Sequence, residues 1–558
     1  MRQKLSFVFK SGEVFVRRFI KRLTDGSNPT RAVVFVGLLA FVGSAAIGFL
    51  RGIPQPENHD EFSYLLAADT FAHGRLTNPT HPMWVHFETM HVIHQPSYMS
   101  KFVPAQGIVL MLGRLLGGHP IVGVWLSMAA MCAAICWMLQ AWLPPRWALL
   151  GGLLAIIHPN IGIGSYWAQS YWGGAVAAAG GALLLGGVRY LIRRPRRGYS
   201  IAAGIGLTIL ANSRPYEGLM LSLPVGLGLL IWLLGKQRPG LGVVMRRVIL
   251  PFVFIGIITV GAMGYYNYRI TGSATRLPYL VHKQEYMMAS LFIWQTLPPK
   301  PAFRHKIIED FHARFELPTY VEKHSFWGFI KVNFLTLIRH FVLVGNIFAI
   351  PLIVSAAAIL QWSRKNYWGR FALFVYGFFI LGIMIETYAL PHYWAPITAL
   401  SCFFIVQGIR LWRARDRRLG QLMVFALPIL AIVVSALSTY FFVSSRNDFA
   451  PAQQRARLLA RMKMGQERHL ILVKYGPSHS YHAEWVHNEA DIDGSKVVWA
   501  RVMDPKEDCK VVRYFRERKI WSLEIDNDEE PIQLKPFATQ SCPQPEDTRA
   551  TSQPVGSQ

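Results

Sequence analysis

Charge is scarce along this chain. Asp, Glu, Lys and Arg make up only 16% of its 558 residues, against about 25% in a soluble domain of ordinary composition. Acid is scarcer still: 32 acidic residues stand against 58 Lys and Arg, leaving a net charge of +26. A nucleic-acid-binding chain of that charge would gather its cations in a separate basic domain with a recognition motif. No such domain is visible, so nucleic acid is not an expected partner. Cysteine is also rare, five in all, without metal-site spacing. Cys132 and Cys136 share one apolar run and Cys402 lies in another. Cys509 and Cys542 lie in the polar tail, and would pair if that tail is extracytoplasmic. A cleavable leader is not expected either, because the first apolar run begins after thirty residues and no small-residue cleavage site follows it.

What the chain has in abundance is long apolar sequence. Apolar residues make up 52% of it, clumped into runs such as 33–50 and 424–443 that match roughly 30 Å of hydrocarbon. The pattern predicts a polytopic all-α membrane protein of about eleven transmembrane helices, near 32–50, 119–141, 146–163, 171–192, 199–213, 215–234, 247–267, 338–361, 370–388, 392–411 and 421–443. Segment 106–117 reads as a half-helix. With the N-terminus inside, the turns 142–146, 193–198, 235–247, 362–370 and 412–420 fall on one side, and four of them are strongly basic. A miscount of one span would split them across the membrane, against the positive-inside tendency. The reading places the chain in a bacterial inner (cytoplasmic) membrane, with loops 51–118 and 268–337 and the C-terminal tail extracytoplasmic.

The flanking segments have their own character. Residues 1–31 are expected to be cytoplasmic, with 2–23 mixing Leu5, Phe7, Phe15 and Phe19 with Lys4, Lys10, Arg17 and Arg18, as an interfacial amphipathic helix does. The core is 32–443. After it, 444–529 alternates helix and strand patterns (helices at 455–465 and 506–519, strands at 469–476, 496–502 and 519–526), which predicts a small α/β domain. Residues 530–558, rich in Pro, Gln, Ser and Thr, read as disordered.

Chemistry concentrates on the extracytoplasmic side. Asp60 and Glu61 precede a short helical pattern, FSYLLAADTFAHG. Two readings stand: they cap that helix, or a carboxylate at the water–lipid boundary acts as a general base or ligates a cation. His59 with Asp60 and Glu61 is a candidate for a divalent ion, although zinc wants three or four protein ligands. Lys101, where the chain returns to the membrane, suits either a lipid phosphate or a snorkelling anchor. Arg214 and Glu217, in NSRPYEG, sit between two apolar runs and should face protein or water. Glu386, His392 and Tyr393 form a second polar interruption in ETYALPHYWAP.

DEFSYLLAADTFAHGRL (60–76), SKFVPAQG (100–107) and PHYWAP (391–396) together resemble the C-type glycosyltransferases (GT-C fold) that use lipid-phosphate sugars. The likeness is greatest to the bacterial branch related to protein O-mannosyltransferases and the lipid A aminoarabinose transferase. The resemblance implies a glycosyltransferase that moves a sugar, with inversion, from a polyprenyl-phosphate donor to an envelope acceptor: lipid, glycan or protein. It implies Asp60 and Glu61 as the catalytic pair. Lys101, Arg214, Glu217, His392 and Tyr393 would surround the donor, with Tyr64 and Glu88 nearby, and a divalent cation is a possible cofactor. The sequence departs from several relatives at GIGSYWAQSYWGG (162–174), which carries Gln169 where they carry an acid. A lipid-linked-glycan flippase and a non-catalytic membrane scaffold are the rival readings.

Overall fold

The structure is a computed structural model that describes residues 18–25, 28–342, 346–444, 450–526, 531–537 and 542. Among these, nine helices are long and apolar enough to cross a bilayer: Thr30–Arg51, Pro120–Trp142, Ala175–Arg193, Pro215–Leu234, Leu241–Thr271, Asn346–Lys365, Tyr367–Met384, Pro391–Arg415 and Arg417–Ser444. The chain is a polytopic, mostly helical membrane protein. Its outer helices turn large apolar side chains outward: Phe254, Ile257 and Val260 are each more than 60% exposed. In water such a surface would drive association, whereas in lipid it is simply solvated. Thr398–Arg415, by contrast, is buried from Thr398 through Ile409 and forms the centre of the bundle.

Two expected crossings are short helices, Pro145–Ile157 and Arg197–Ala211, of 13 and 15 residues. At 1.5 Å per residue the first spans about 20 Å. The chain beyond it continues as irregular backbone, which is tolerated at depth only where protein satisfies it. It is satisfied: Ile163 N–H donates to the Ile156 carbonyl at 2.9 Å, and the Gln169 amide donates to the carbonyls of Ser44 and Ile163. The Gln169 amide thereby ties this segment to helix Thr30–Arg51. The half-helix expected at 106–117 is Ala105–Gly117. It lies so close to Pro120–Trp142 that a Cβ on Gly113 would stand 2.0 Å from the Gly123 nitrogen. The N-terminal amphipathic segment lies mostly outside the described residues, of which 18–23 are helical.

The chain divides into two compact units, Met1–Thr80 with Met90–Asn447, and His81–Thr89 with Asp448–Gln558. The second has a four-stranded sheet in the order Val497–Arg501, His469–Tyr475, Lys519–Ile525, Leu534–Pro536, the first three parallel and the last antiparallel. Helices Pro451–Met464 and Pro505–Tyr514 accompany it, and Asp504 caps the latter by accepting from the N–H groups of Lys506 and Glu507. The α/β expectation for the tail holds in order and type.

Two corrections follow. The second unit also takes in His81–Thr89 of the first loop. Buried Arg501 binds that segment: its Nε donates to the Glu88 carbonyl at 2.7 Å, its own carbonyl lies 3.0 Å from His86 Nδ1, and its Nη2 pairs with Glu484. Disorder does not hold throughout 530–558 either. Leu534–Pro536 closes the sheet edge, and Cys542 is disulfide-bonded to Cys509; most of the remainder lies outside the described residues.

Candidate active site

The site is built on helix His59–Ala72. Asn58 and Glu61 form a capping box at its N-terminus, the Asn-x-x-Glu spacing that satisfies otherwise unpaired N–H groups. Glu61 Oε2 accepts from the N–H of Glu57 and Asn58, at 2.8 and 3.1 Å, and Oε1 accepts from the N–H of Tyr171 at 2.8 Å. Both oxygens are thus engaged by backbone. Asp60, one residue earlier, stands outside the cap with its side chain 23% exposed. Burial raises its pKa above the ordinary aspartate value, and the charges of Lys101 and Arg214 pull it back down. His91 Nε2 lies 3.9 Å from Asp60 Oδ2.

A short hairpin, Val92–Ile93 with Ser97–Ser100, is pinned to this helix through Ser63, which donates to the His91 carbonyl and shares a hydrogen bond with Ser100, both at 2.7 Å. The Lys101 N–H donates to the same His91 carbonyl at 3.1 Å, fixing where Lys101 emerges. Its side chain is 4% exposed, with the ammonium 5.3 and 5.1 Å from the ring centres of Phe102 and Tyr279. It makes no hydrogen bond to a described residue. Burial lowers its pKa, while Glu316 and Asp60 raise it. Tyr64 stacks on Phe102 at 4.5 Å and holds that platform.

Arg214, at the N-terminus of Pro215–Leu234, lies 3.6 Å from Glu217 and stacks over Tyr393 at 4.5 Å. His392 lies 4.9 Å from Trp172 and 5.1 Å from Tyr393. Lys101 and Arg214 both act electrostatically on Asp60. Glu88 falls in the second unit.

Several neighbours escaped the sequence reading because loop 268–337 supplies them from far along the chain. Glu316 acts on both Lys101 and Asp60 and bonds His312 at 2.6 Å. Tyr279 lies beneath the Lys101 ammonium, and His282 packs 5.9 Å from His91. The one sequence signal was the helical spacing of His312 and Glu316.

A hard divalent cation needs several oxygen ligands. The oxygens of Glu61 already accept three N–H groups, and among the described residues no three His, Cys, Asp or Glu side chains are placed to hold an ion.

No family model matches the chain. No curated protein matches it either. Among solved structures it is similar to ArnT from Cupriavidus metallidurans bound to undecaprenyl phosphate, with 13% identity and a TM-score of 0.47, over 87% of this chain and 92% of that one. It is also similar to the Archaeoglobus fulgidus oligosaccharyltransferase tethered with an acceptor peptide, with 10% identity and a TM-score of 0.46, over 88% of this chain and 68% of that one.

Proposed function

We propose that this chain is an integral membrane glycosyltransferase of the bacterial inner membrane. It moves a sugar from a polyprenyl-phosphate donor to an envelope acceptor, with inversion. The observation that carries the reading is Lys101, a buried ammonium without a hydrogen-bond partner among the described residues, beside the Asp60 carboxylate. A buried charge left so is costly unless something pairs with it, and a phosphate does. An apolar groove of about 810 Å³, lined by Phe71, Pro104, Ala105, Asn212 and Tyr266 among others, starts within a few residues of both Lys101 and Arg214. It suits the donor's prenyl chain.

In the reaction the acceptor hydroxyl oxygen attacks the anomeric carbon and Asp60 accepts its proton. The bond from that carbon to phosphate oxygen breaks, and polyprenyl phosphate leaves with the electron pair. Lys101 and Arg214 meet the charge that develops on it. One displacement gives inversion, in contrast to a two-step carboxylate mechanism. With the basic turns taken as cytoplasmic, by the positive-inside tendency, this reading has the chemistry on the extracytoplasmic side.

A flippase would use the same cations without consuming the donor. The purified chain, given a radiolabelled polyprenyl-phosphate sugar and an envelope extract as acceptor, should release free polyprenyl phosphate in step with labelled acceptor. Translocation of intact donor in vesicles, without release, would favour the flippase instead.

A further inference from the structure

The basic face carries a cationic site that the proposed reaction does not use. Arg189 lies one turn before the end of Ala175–Arg193, under two indole rings, with its guanidinium carbon 3.8 Å from the Trp368 ring centre and 5.8 Å from that of Trp142. Trp142 ends the Pro120–Trp142 helix and Trp368 begins Tyr367–Met384, and the two rings meet edge to face at 5.8 Å. Three helix ends therefore enclose the cation.

The rings attract its charge but cannot satisfy its N–H donors, of which a guanidinium has five. Arg189 Nε and Trp142 Nε1 are both buried and, among the described residues, without a hydrogen-bond partner. No described carboxylate pairs with Arg189. The acid balance around it explains why: Asp416 is the only acidic residue in the five turns on this face, and its Oδ1 already accepts from the N–H groups of Arg418 and Leu419. Arg193, one turn on, spends a donor on the Ala141 carbonyl at 2.9 Å and adds its charge.

We infer that this is a docking site for an anionic phospholipid, whose phosphate takes the terminal Nη donors of half-buried Arg189, which no described residue engages, while its acyl chains lie along the helices. A phosphate accepts from a guanidinium in bidentate fashion. A lipid of net negative charge gains further from the uncompensated field of Arg193 and the neighbouring turns, and a zwitterionic lipid does not. The inference is independent of the transferase reading.

The test is native mass spectrometry of the delipidated full-length chain in neutral detergent, titrated with phosphatidylglycerol, with phosphatidylcholine and with inorganic phosphate. The wild type should retain phosphatidylglycerol at activation energies that strip phosphatidylcholine, and phosphate alone should leave no adduct. Arg189→Gln should weaken phosphatidylglycerol binding roughly tenfold or more, the loss of a charge-assisted hydrogen bond. Arg189→Lys keeps the charge but not the bidentate fork. It should bind at an intermediate level, and it serves where the glutamine variant does not fold. Arg238→Gln, which removes one exposed turn cation and with it only a small part of the surrounding field, should lose far less binding than Arg189→Gln. Equal retention of the two lipids, unchanged binding in both Arg189 variants, an equal loss in Arg238→Gln or a stable phosphate adduct would each overturn the assignment.

Discussion

Replacing Lys101 by Met separates folding from function, because the ammonium is held at a cost. It is 4% exposed, rests on two aromatic faces at just over 5 Å, and is given no hydrogen bond by the described residues. Methionine matches its length without the charge, so its desolvation cost disappears. Against this, Asp60 and Glu316 lose a nearby cation. The two effects oppose, and the unfolding midpoint should stay level or rise slightly. Donor binding should suffer. A charge-assisted hydrogen bond to phosphate is worth about 1.5–3 kcal/mol, so kcat/KM for the polyprenyl-phosphate sugar should fall roughly ten- to 150-fold. Removing the cation also withdraws one of the charges that lower the pKa of Asp60, so the acidic limb of the rate profile should move to higher pH. The assays are thermal unfolding followed by tryptophan fluorescence, and initial rates over a range of donor concentrations. A variant that unfolds at far lower temperature while keeping wild-type kcat/KM would refute the reasoning, because it would make Lys101 a structural anchor.

Other outcomes follow from the same geometry. In the wild type, kcat/KM should rise with pH as Asp60 loses its proton, at a pKa above 3.8, and fall as Lys101 loses its own, below 10.5; Lys101→Arg should abolish the alkaline fall, since guanidinium does not deprotonate. Glu61→Ala should lower stability by about 2–4 kcal/mol, from the lost cap and the stranded Tyr171 N–H. Its correctly folded fraction should keep most of its turnover, measured per folded molecule by active-site titration. Glu484→Gln should destabilise the second unit by about 3–5 kcal/mol by leaving Arg501 buried without its partner, seen as faster proteolysis within 469–501. Burial opposes the charged Glu484, yet Arg501 and hydrogen bonds from Tyr475 and Val486 hold its pKa below 4.5. That stabilisation is therefore present at neutral pH and disappears as pH falls through the depressed pKa, which acid titration of the unit's unfolding would show.

Much of the fold was legible because bilayers impose local rules. Apolar length and basic turns are read within one segment, so the long helices, the half-helix at Ala105–Gly117 and the alternation of elements in the tail emerged from sequence. The short helices Pro145–Ile157 and Arg197–Ala211 fall short of the expected crossings, because irregular backbone replaces helix wherever neighbouring protein can satisfy it. At the site, the order along the chain gave the expectation that Asp60, Lys101 and Arg214 share one face. Their division of labour was not legible in that order. The Asn58-x-x-Glu61 spacing marks a capping box, a local pattern that assigns Glu61 to the helix end and frees Asp60. Glu316, His312 and Tyr279 come from more than 170 residues downstream of Lys101, and only folding brings them in. The same holds for Arg501 and its grip on Glu88.

The most direct measurement compares the wild type with Asp60→Asn in one transfer assay, reading product anomeric configuration by NMR. The wild type should transfer sugar with the configuration opposite to that in the donor. The asparagine variant should unfold at the wild-type temperature, bind donor and transfer nothing. Retained configuration in the product, or undiminished transfer by the asparagine variant, would contradict a single displacement with Asp60 as its base.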